Sequence, residues 1–253
     1  MTTGSSPAAI GGQVALITGA ASGFGRGLTQ ALADRGVRVV ACDVDETRGQ
    51  EVADLTGALF VRCDVSDPLE NARAASAAVE RFGGLDMAFL NAGIATGTGL
   101  GEDFDIALYR RAMGANLDGV VFGINAVMPA MKARGGGSIV VTASLAGLAP
   151  VPMDPIYAAN KHAVVGLVRS LGPALAGDGI RINAICPGFS DTAIIAPIRE
   201  EILGQGLPII SVEQVTDVVI GLFDGDMTGE CWFVQAGRES QAFAFRGIPG
   251  PRG

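Results

Sequence analysis

Histidine is nearly missing from this chain of 253 residues: His162 is the only one. A multi-histidine metal site therefore cannot be assembled. A Ser-His-Asp triad would rest on a residue that follows Lys161 directly and points to another helix face, so His162 is read as a packing or interface residue. Cysteine is sparse as well. The four, at positions 42, 63, 186 and 231, show no CxxC spacing, and three sit at strand-like ends. That pattern describes reduced, buried thiols better than a disulfide framework or a metal centre. Charge is scarce too, at 17% of residues with a net value of -8, which argues against nucleic acid or an anionic membrane surface as partner. No uninterrupted apolar run approaches the ~18 to 20 residues needed to span a bilayer, and no charged n-region precedes an apolar signal core. A soluble, cytoplasmic protein is expected.

Apolar residues are plentiful, at 49%. They gather in short runs near 13 to 18, 37 to 42, 58 to 63, 86 to 90, 138 to 143, 180 to 186 and 230 to 234, and these runs alternate with helical stretches. Such alternation predicts one α/β domain with a doubly wound parallel sheet. Several runs are continuously apolar, as expected when helices cover both faces. Ligands of such folds bind at the carboxyl ends of the strands.

The first run enters a glycine-rich turn, Thr18-Gly19-x-x-x-Gly23-x-Gly25, and then a helix. This is a phosphate-binding layout. Gly19 permits the tight exit from the strand, Gly23 lets backbone N–H groups approach a pyrophosphate, and Gly25 lets the helix pack closely. The helix N-terminus then faces the anion. The second run ends at Asp43, 18 residues beyond Gly25. A carboxylate there can accept hydrogen bonds from ribose hydroxyls and would repel a 2'-phosphate, which favours NAD over NADP. The alternative is that Asp43 opens a turn or caps the helix starting near Glu46. Arg26 and Arg48 are the nearest cations that could argue for NADP.

Two tyrosines and two lysines in the whole chain make the pair Tyr157-x-x-x-Lys161 informative. A chance match has a likelihood of roughly 0.016. On a helix both side chains share one face. An ammonium beside a phenol stabilises the phenolate and lowers its pKa from ~10, making a usable base. Ser144 precedes Tyr157 by 13 residues, and Asn116 interrupts an apolar helical pattern. Read alone, Ser144 would turn the chain after a strand and Asn116 would satisfy nearby backbone groups.

In their joint order these motifs resemble the short-chain dehydrogenase/reductase family, in its subgroup of about 250 residues, over nearly the whole chain. The series also includes Cys63-Asp64-Val65, Asn91-Ala92-Gly93 and Pro187-Gly188. The resemblance implies a Rossmann-type fold and an NAD-linked oxidoreductase acting on an alcohol or ketone. It implies cofactor contacts from Gly19, Ser22, Gly23, Phe24, Gly25 and Asp43, with Asp64 and Val65 at the adenine. Asn91, Ala92 and Gly93 would lie along the cofactor, and Pro187, Gly188 and Thr192 around the nicotinamide carboxamide. Tyr157 would be the general acid or base, with Lys161 orienting cofactor and phenol. Ser144 would donate to the substrate oxygen, and Asn116 would hold a water in a proton route. Three positions depart from the family pattern: Leu90 stands for the first of two Asn, Asn160 for a frequent Ser, and Ser190 for a Val.

Apolar side chains dominate the loops 145 to 156 and 189 to 211, including Leu145, Leu148, Val151, Met153, Ile194, Ile195, Ile198 and Leu207. A hydrophobic secondary alcohol or ketone is the expected substrate class. The family resemblance implies a homotetramer whose interface uses helices near 103 to 132 and 155 to 178. Residues 235 to 253 extend beyond the usual end, and Phe243 and Phe245 are expected to dock on a neighbouring subunit. Two alternatives remain: an NADPH-dependent carbonyl reductase, which would keep the same site, and a noncatalytic dinucleotide sensor, which would need the cofactor cradle but not the set Asn116, Ser144, Tyr157 and Lys161.

Overall fold

The first apolar run forms β1 (Val14–Thr18), in which all five side chains are buried. α1 (Gly23–Ala33), β2 (Arg38–Asp43), α2 (Glu46–Thr56) and β3 (Leu59–Arg62) follow, then α3 (Pro68–Phe82) and β4 (Met87–Leu90). α4 (Ile106–Met113) and α5 (Gly119–Ala133) lead to β5 (Gly137–Thr142), α6 (Pro155–Leu175) and β6 (Ile180–Pro187). The chain closes with α7 (Arg199–Gly204), α8 (Val212–Asp224), β7 (Cys231–Val234) and β8 (Gln241–Ala242). This computed structural model describes residues 10–192, 195–196 and 199–247.

One sheet holds all eight strands in the order β3-β2-β1-β4-β5-β6-β7-β8. The first seven are parallel; β8 runs antiparallel to β7, with Trp232 opposite Ala242 and Phe233 opposite Gln241. Alternation along each strand feeds two cores. Leu16, Val40, Leu90, Val141 and Ile182 face a core shared with residues of α3, α5 and α6. Ile17, Val39, Phe89, Val140 and Ile185 face one shared with residues of α1 and α8. The sheet is therefore wound on both faces, as the apolar runs predict. The strand order reverses between β1 and β4, which opens the crevice at their carboxyl ends.

Helix starts follow the sequence closely. Asp45, Asp67, Asp105, Asp154 and Ser211 each accept a backbone N–H at the N-termini of α2, α3, α4, α6 and α8. Each side chain satisfies a donor that the helix leaves unpaired. The expected long helix over 103 to 132 divides into α4, a π-helical turn at Gly114–Asp118, and α5. Close approach explains the glycines that bound this turn: a Cβ at Gly114 would lie 3.1 Å from Ser66 Cβ, and one at Gly119 2.7 Å from Val65 Cγ2. The expected helix over 155 to 178 is α6 plus a 3-10 turn at Ala176–Asp178.

The C-terminal stretch that the strand pattern missed is held by its own subunit. The Phe243 amide donates to the Cys231 carbonyl at 2.8 Å, and the Arg169 guanidinium lies 3.7 Å from the Phe245 ring centre. The two phenylalanine rings meet edge to face at 4.9 Å. Phe245 packs, partly buried, against the α3/α5/α6 core, while Phe243 stays 38% exposed.

Candidate active site

The glycine-rich turn leaves β1 with Gly19 at φ +67° and enters α1 with Gly23 at φ +50°, both in the left-handed region that glycine tolerates. A side chain at Gly25 would overlap the Gly19 carbonyl oxygen, so the helix can lie this close only with glycine there. Ser22 occupies the N-cap of α1 in extended backbone, and its side chain makes no capping hydrogen bond. Each of the five capped helices above satisfies one or two of its first amides with its cap side chain. α1 leaves its own open to a ligand, and an anion is what a helix N-terminus attracts. Phe24 is buried on the α1/α8 side of the sheet.

Asp43 is the last residue of β2 and lies beside this turn. Its Oδ2 accepts the Ala21 amide at 2.9 Å and its Oδ1 the Asp45 amide at 3.0 Å. The capping role considered for Asp43 belongs to Asp45, which accepts the Arg48 amide and holds the Arg48 guanidinium at 2.6 Å. On the next loop, Asp64 Oδ1 accepts from the Ser66 amide and hydroxyl, and Val65 is buried against Gly119.

A polar chain joins three strand ends across the crevice. Thr18 Oγ1 accepts the Asn91 and Ala92 amides at 2.9 and 3.1 Å, and Asn91 Nδ2 donates to the Thr18 carbonyl at 3.1 Å. Thr142 Oγ1 donates to Asn91 Oδ1 at 3.0 Å, and Lys161 Nζ donates to the Thr142 carbonyl at 2.8 Å. Thr18 and Thr142 were not singled out in the sequence as site residues. Their only signal there is a hydroxyl at the end of an apolar run. Leu90, at the position of the lost Asn, is a buried core residue against Gly123.

Asn116 sits in the π-helical turn and is buried. Its Oδ1 accepts the Ile94 amide at 2.8 Å and its Nδ2 donates to the Ile94 carbonyl at 2.9 Å. The side chain thus clamps the loop after Gly93, where a Cβ would stand 3.0 Å from Asn116 Oδ1. On the far side, Gly188 donates to the Val234 carbonyl at 2.9 Å, directly after Pro187 ends β6. Ser190 Oγ donates to the Gly188 carbonyl at 2.9 Å, and the Thr192 methyl would lie 3.2 Å from a Cβ at Gly23. The loop after β6 therefore returns to the glycine-rich turn.

Tyr157 and Lys161 share one face of α6, as their spacing predicts. The Lys161 nitrogen lies 5.6 Å from the Tyr157 ring centre, and Lys161 is only 4% exposed. Ser144 caps a 3-10 turn by accepting the Ala146 amide at 3.1 Å, and its hydroxyl lies close enough to the Tyr157 phenol to influence its proton. That turn lies flat on α6 because Gly147 has no side chain: a Cβ would come 2.6 Å from the Lys161 carbonyl. Burial pushes the Lys161 ammonium down to about 8, opposed by the neighbouring Cys186 thiol. Burial also pushes the phenol of Tyr157 above its ordinary value, the Ser144 hydrogen bond pulls it down, and the Asp154 carboxylate pushes it up. The expected lowering by Lys161 is not found in the protein alone: the phenol lies above its ordinary value, and Ser144 is the group that pulls it down.

Of the apolar loop residues, Ile195 is buried, Leu145 faces Gly188, Leu148 packs on the core, and Val151 is half-buried. Met153 is 80% and Leu207 38% exposed, while Ile194 and Ile198 lie outside the described residues. The four cysteines are free and buried. Among the described residues, no three His, Cys, Asp or Glu side chains converge as a metal site. No described helix is long and apolar enough to cross a membrane.

An α/β sheet with an open helix N-terminus at its switch point, and a Tyr–Lys pair beside it, is the arrangement that the sequence motifs predict. The model of the short chain dehydrogenase family matches residues 13–203, and the chain belongs to that family. It is 36% identical over 240 residues to a cyclohexanol dehydrogenase of Acinetobacter sp. (strain SE19), covering 90% of this chain and 96% of that one. It is also 36% identical over 206 residues to the human 15-hydroxyprostaglandin dehydrogenase [NAD(+)], covering 78% and 75%. Among solved structures, the 3-ketoacyl-(acyl-carrier-protein) reductase from Brucella melitensis, complexed with NADH, superposes with a TM-score of 0.85 at 29% identity, covering 90% and 99%.

Proposed function

We propose that this protein is an NAD-dependent oxidoreductase that interconverts a hydrophobic secondary alcohol and its ketone, with Tyr157 as general acid and base. The observation that carries this is the convergence of Tyr157, Ser144 and buried Lys161 at the carboxyl end of β5. Bound NAD supplies the hydride acceptor and an added positive charge. The open amides at Ser22 to Gly25 would hold its pyrophosphate, Asp43 its adenosine ribose, and the loop Pro187 to Thr192 its carboxamide. Asp64, Val65 and Asn91 to Gly93 line the path between.

Ser144 Oγ accepts from Ala146, so its proton is free for the substrate oxygen or the phenol. Tyr157 takes the alcohol proton or returns it to a ketone. Lys161 spends one N–H on Thr142, leaving two for the cofactor ribose and a relay. The Asn116 amide is committed to Ile94, so its part is to hold the loop after Gly93 beside the site.

Asp43 beside the glycine-rich turn, with Arg48 tied to Asp45, supports NAD over NADP. The NAD(+) in the human relative's name and the NADH in the Brucella structure agree with this. The cyclic alcohol in one relative's name supports the apolar substrate class. We extend one domain over the whole chain, and propose a homotetramer through α5 and α6. Exposed Val121 and an outward row of Ala159, Ala163, Gly166 and Ser170 support that interface.

An NAD-linked screen over cyclohexanols, hydroxysteroids and hydroxy-fatty acids tests the reading. Tyr157→Phe should bind NADH as the wild type does and lose ~10²- to 10⁴-fold in kcat. Unchanged turnover would reject Tyr157 as the base, and tighter binding of NADPH than NADH would reject the cofactor.

A further inference from the structure

Leu100, Phe104 and Ile106 are 63%, 42% and 50% exposed, and no other stretch of that length among the described residues leaves three large apolar side chains in solvent. The loop that carries them leaves β4 at the crevice. It runs through Asn91 to Gly93 and is fixed at Ile94, whose amide and carbonyl both bond the Asn116 side chain. Beyond that root it closes on itself. Thr98 Oγ1 donates to the Asp103 carbonyl at 2.8 Å and accepts the Asp105 amide at 2.7 Å, so one hydroxyl ties together the segment 98 to 105. The Phe104 amide donates to the Gly101 carbonyl at 3.2 Å, and Gly97 and Gly101, at φ +72° and +78°, let the chain double back. The segment is a latched lobe.

Covering one large apolar side chain recovers ~1.5 to 3 kcal/mol, so a lobe that holds three of them in water calls for an occupant. Its surroundings say which. The lobe leads into α4, which Asp105 caps and which packs against α6, the helix of Tyr157 and Lys161. Met153, the most exposed large apolar residue described, lies on the turn that enters α6, and exposed Phe189 follows Gly188 after β6. β4, β5 and β6 are neighbours in the sheet. Three adjacent loops at the reacting end therefore each hold apolar side chains in solvent, which single scattered residues would not do.

We propose that the lobe 98 to 105, latched by Thr98, is a wall of the substrate cleft, and that Leu100 and Phe104 select secondary alcohols whose apolar body extends well beyond the reacting carbon. This deepens the reading of the protein as an alcohol oxidoreductase and rests on it. A compact ring held at Tyr157 ends short of the lobe; a fused-ring alcohol such as a hydroxysteroid covers it.

The test compares a hydroxysteroid with cyclohexanol and reads the lobe directly by hydrogen–deuterium exchange. Leu100→Ala should lower kcat/KM for the hydroxysteroid by ~10-fold, mainly through KM, while cyclohexanol changes by less than about 2-fold. Thr98→Val should speed exchange over 98 to 105 by on the order of 10-fold and give the same split between alcohols, and Thr98→Ser, which keeps the hydroxyl, should restore both. NADH affinity should stay as in the wild type in all three. In the wild type with NADH, adding the hydroxysteroid should slow exchange across the lobe. Equal losses on the two alcohols, or exchange that the hydroxysteroid leaves unchanged, overturns the proposal. So does a lobe already protected without alcohol whose Leu100→Asp variant falls from an oligomer to a monomer, because a second copy is then its cover. Protection by the hydroxysteroid with no turnover of any alcohol would instead sink the oxidoreductase reading and leave the wall standing.

Discussion

Asp43 and Lys161 sit at opposite ends of one crevice, and their surroundings differ in kind. Asp43 is half-buried and accepts two backbone amides, from Ala21 and Asp45. Lys161 is buried, donates to one carbonyl, and has its proton affinity pushed down by desolvation. At the first end the backbone matches the charge, and the geometry is set by glycines that no other residue can replace. At the second end the fold holds charge under a penalty, an arrangement typical of groups that must change protonation. The proposed binding and reacting ends are thus built from different materials within one sheet edge.

Gly25→Ala attacks the first end and should have the largest effect on stability. The new methyl meets a backbone oxygen that cannot swing aside, so we expect a loss of about 3 kcal/mol or more in urea unfolding, with loss of NADH binding. A variant that binds NADH normally would show that close packing of α1 is not what forms the cradle.

Lys161→Met attacks the second end with the opposite sign. The Lys161 pKa falls from 10.5 to about 8 on folding. Below pH 8 both states hold the proton, and burial of the ammonium costs up to roughly 3 kcal/mol. Between 8 and 10.5 the unfolded chain keeps the proton that the folded chain has lost, so the wild type gains stability as pH rises. The variant should therefore be more stable than the wild type near pH 7 while inactive, with an advantage that shrinks across that window. Cys63, raised to about 12 by burial first, opposes the gain above pH 9 in both proteins and drops out of the difference. A constant difference from pH 7 to 10.5 would contradict the buried ammonium.

Asn91→Ala cuts the link between the two ends and should be the mildest. The Thr142 hydroxyl loses its acceptor and the Thr18 carbonyl a donor, which should cost about 2 kcal/mol. If the two ends are coupled through this chain, NADH affinity and kcat should fall together; an effect on one alone would separate them.

Much of this was legible in advance. The seven parallel strands fall within a residue or two of the apolar runs, because a strand covered on both faces must be apolar throughout. The Tyr157–Lys161 face follows from helix periodicity alone. β8 was not legible, since two exposed residues carry no alternation. The stacking of Arg169 on Phe245 was not legible either, because nothing in a linear reading brings the two together. Read alone, Asn116 was expected to satisfy nearby backbone groups, and it does, but only the fold shows that those groups belong to Ile94.

By itself the sequence determined the winding of the sheet, the glycines of the turn after β1 and the shared helix face of Tyr157 and Lys161, because periodicity and steric permission are local properties of a chain. Only the tertiary structure decided how hard the protons of Tyr157 and Lys161 are held, and that Thr18, Asn91 and Thr142 join the two ends. Those outcomes depend on burial and on contacts between strands far apart in the chain, which no spacing of residues records.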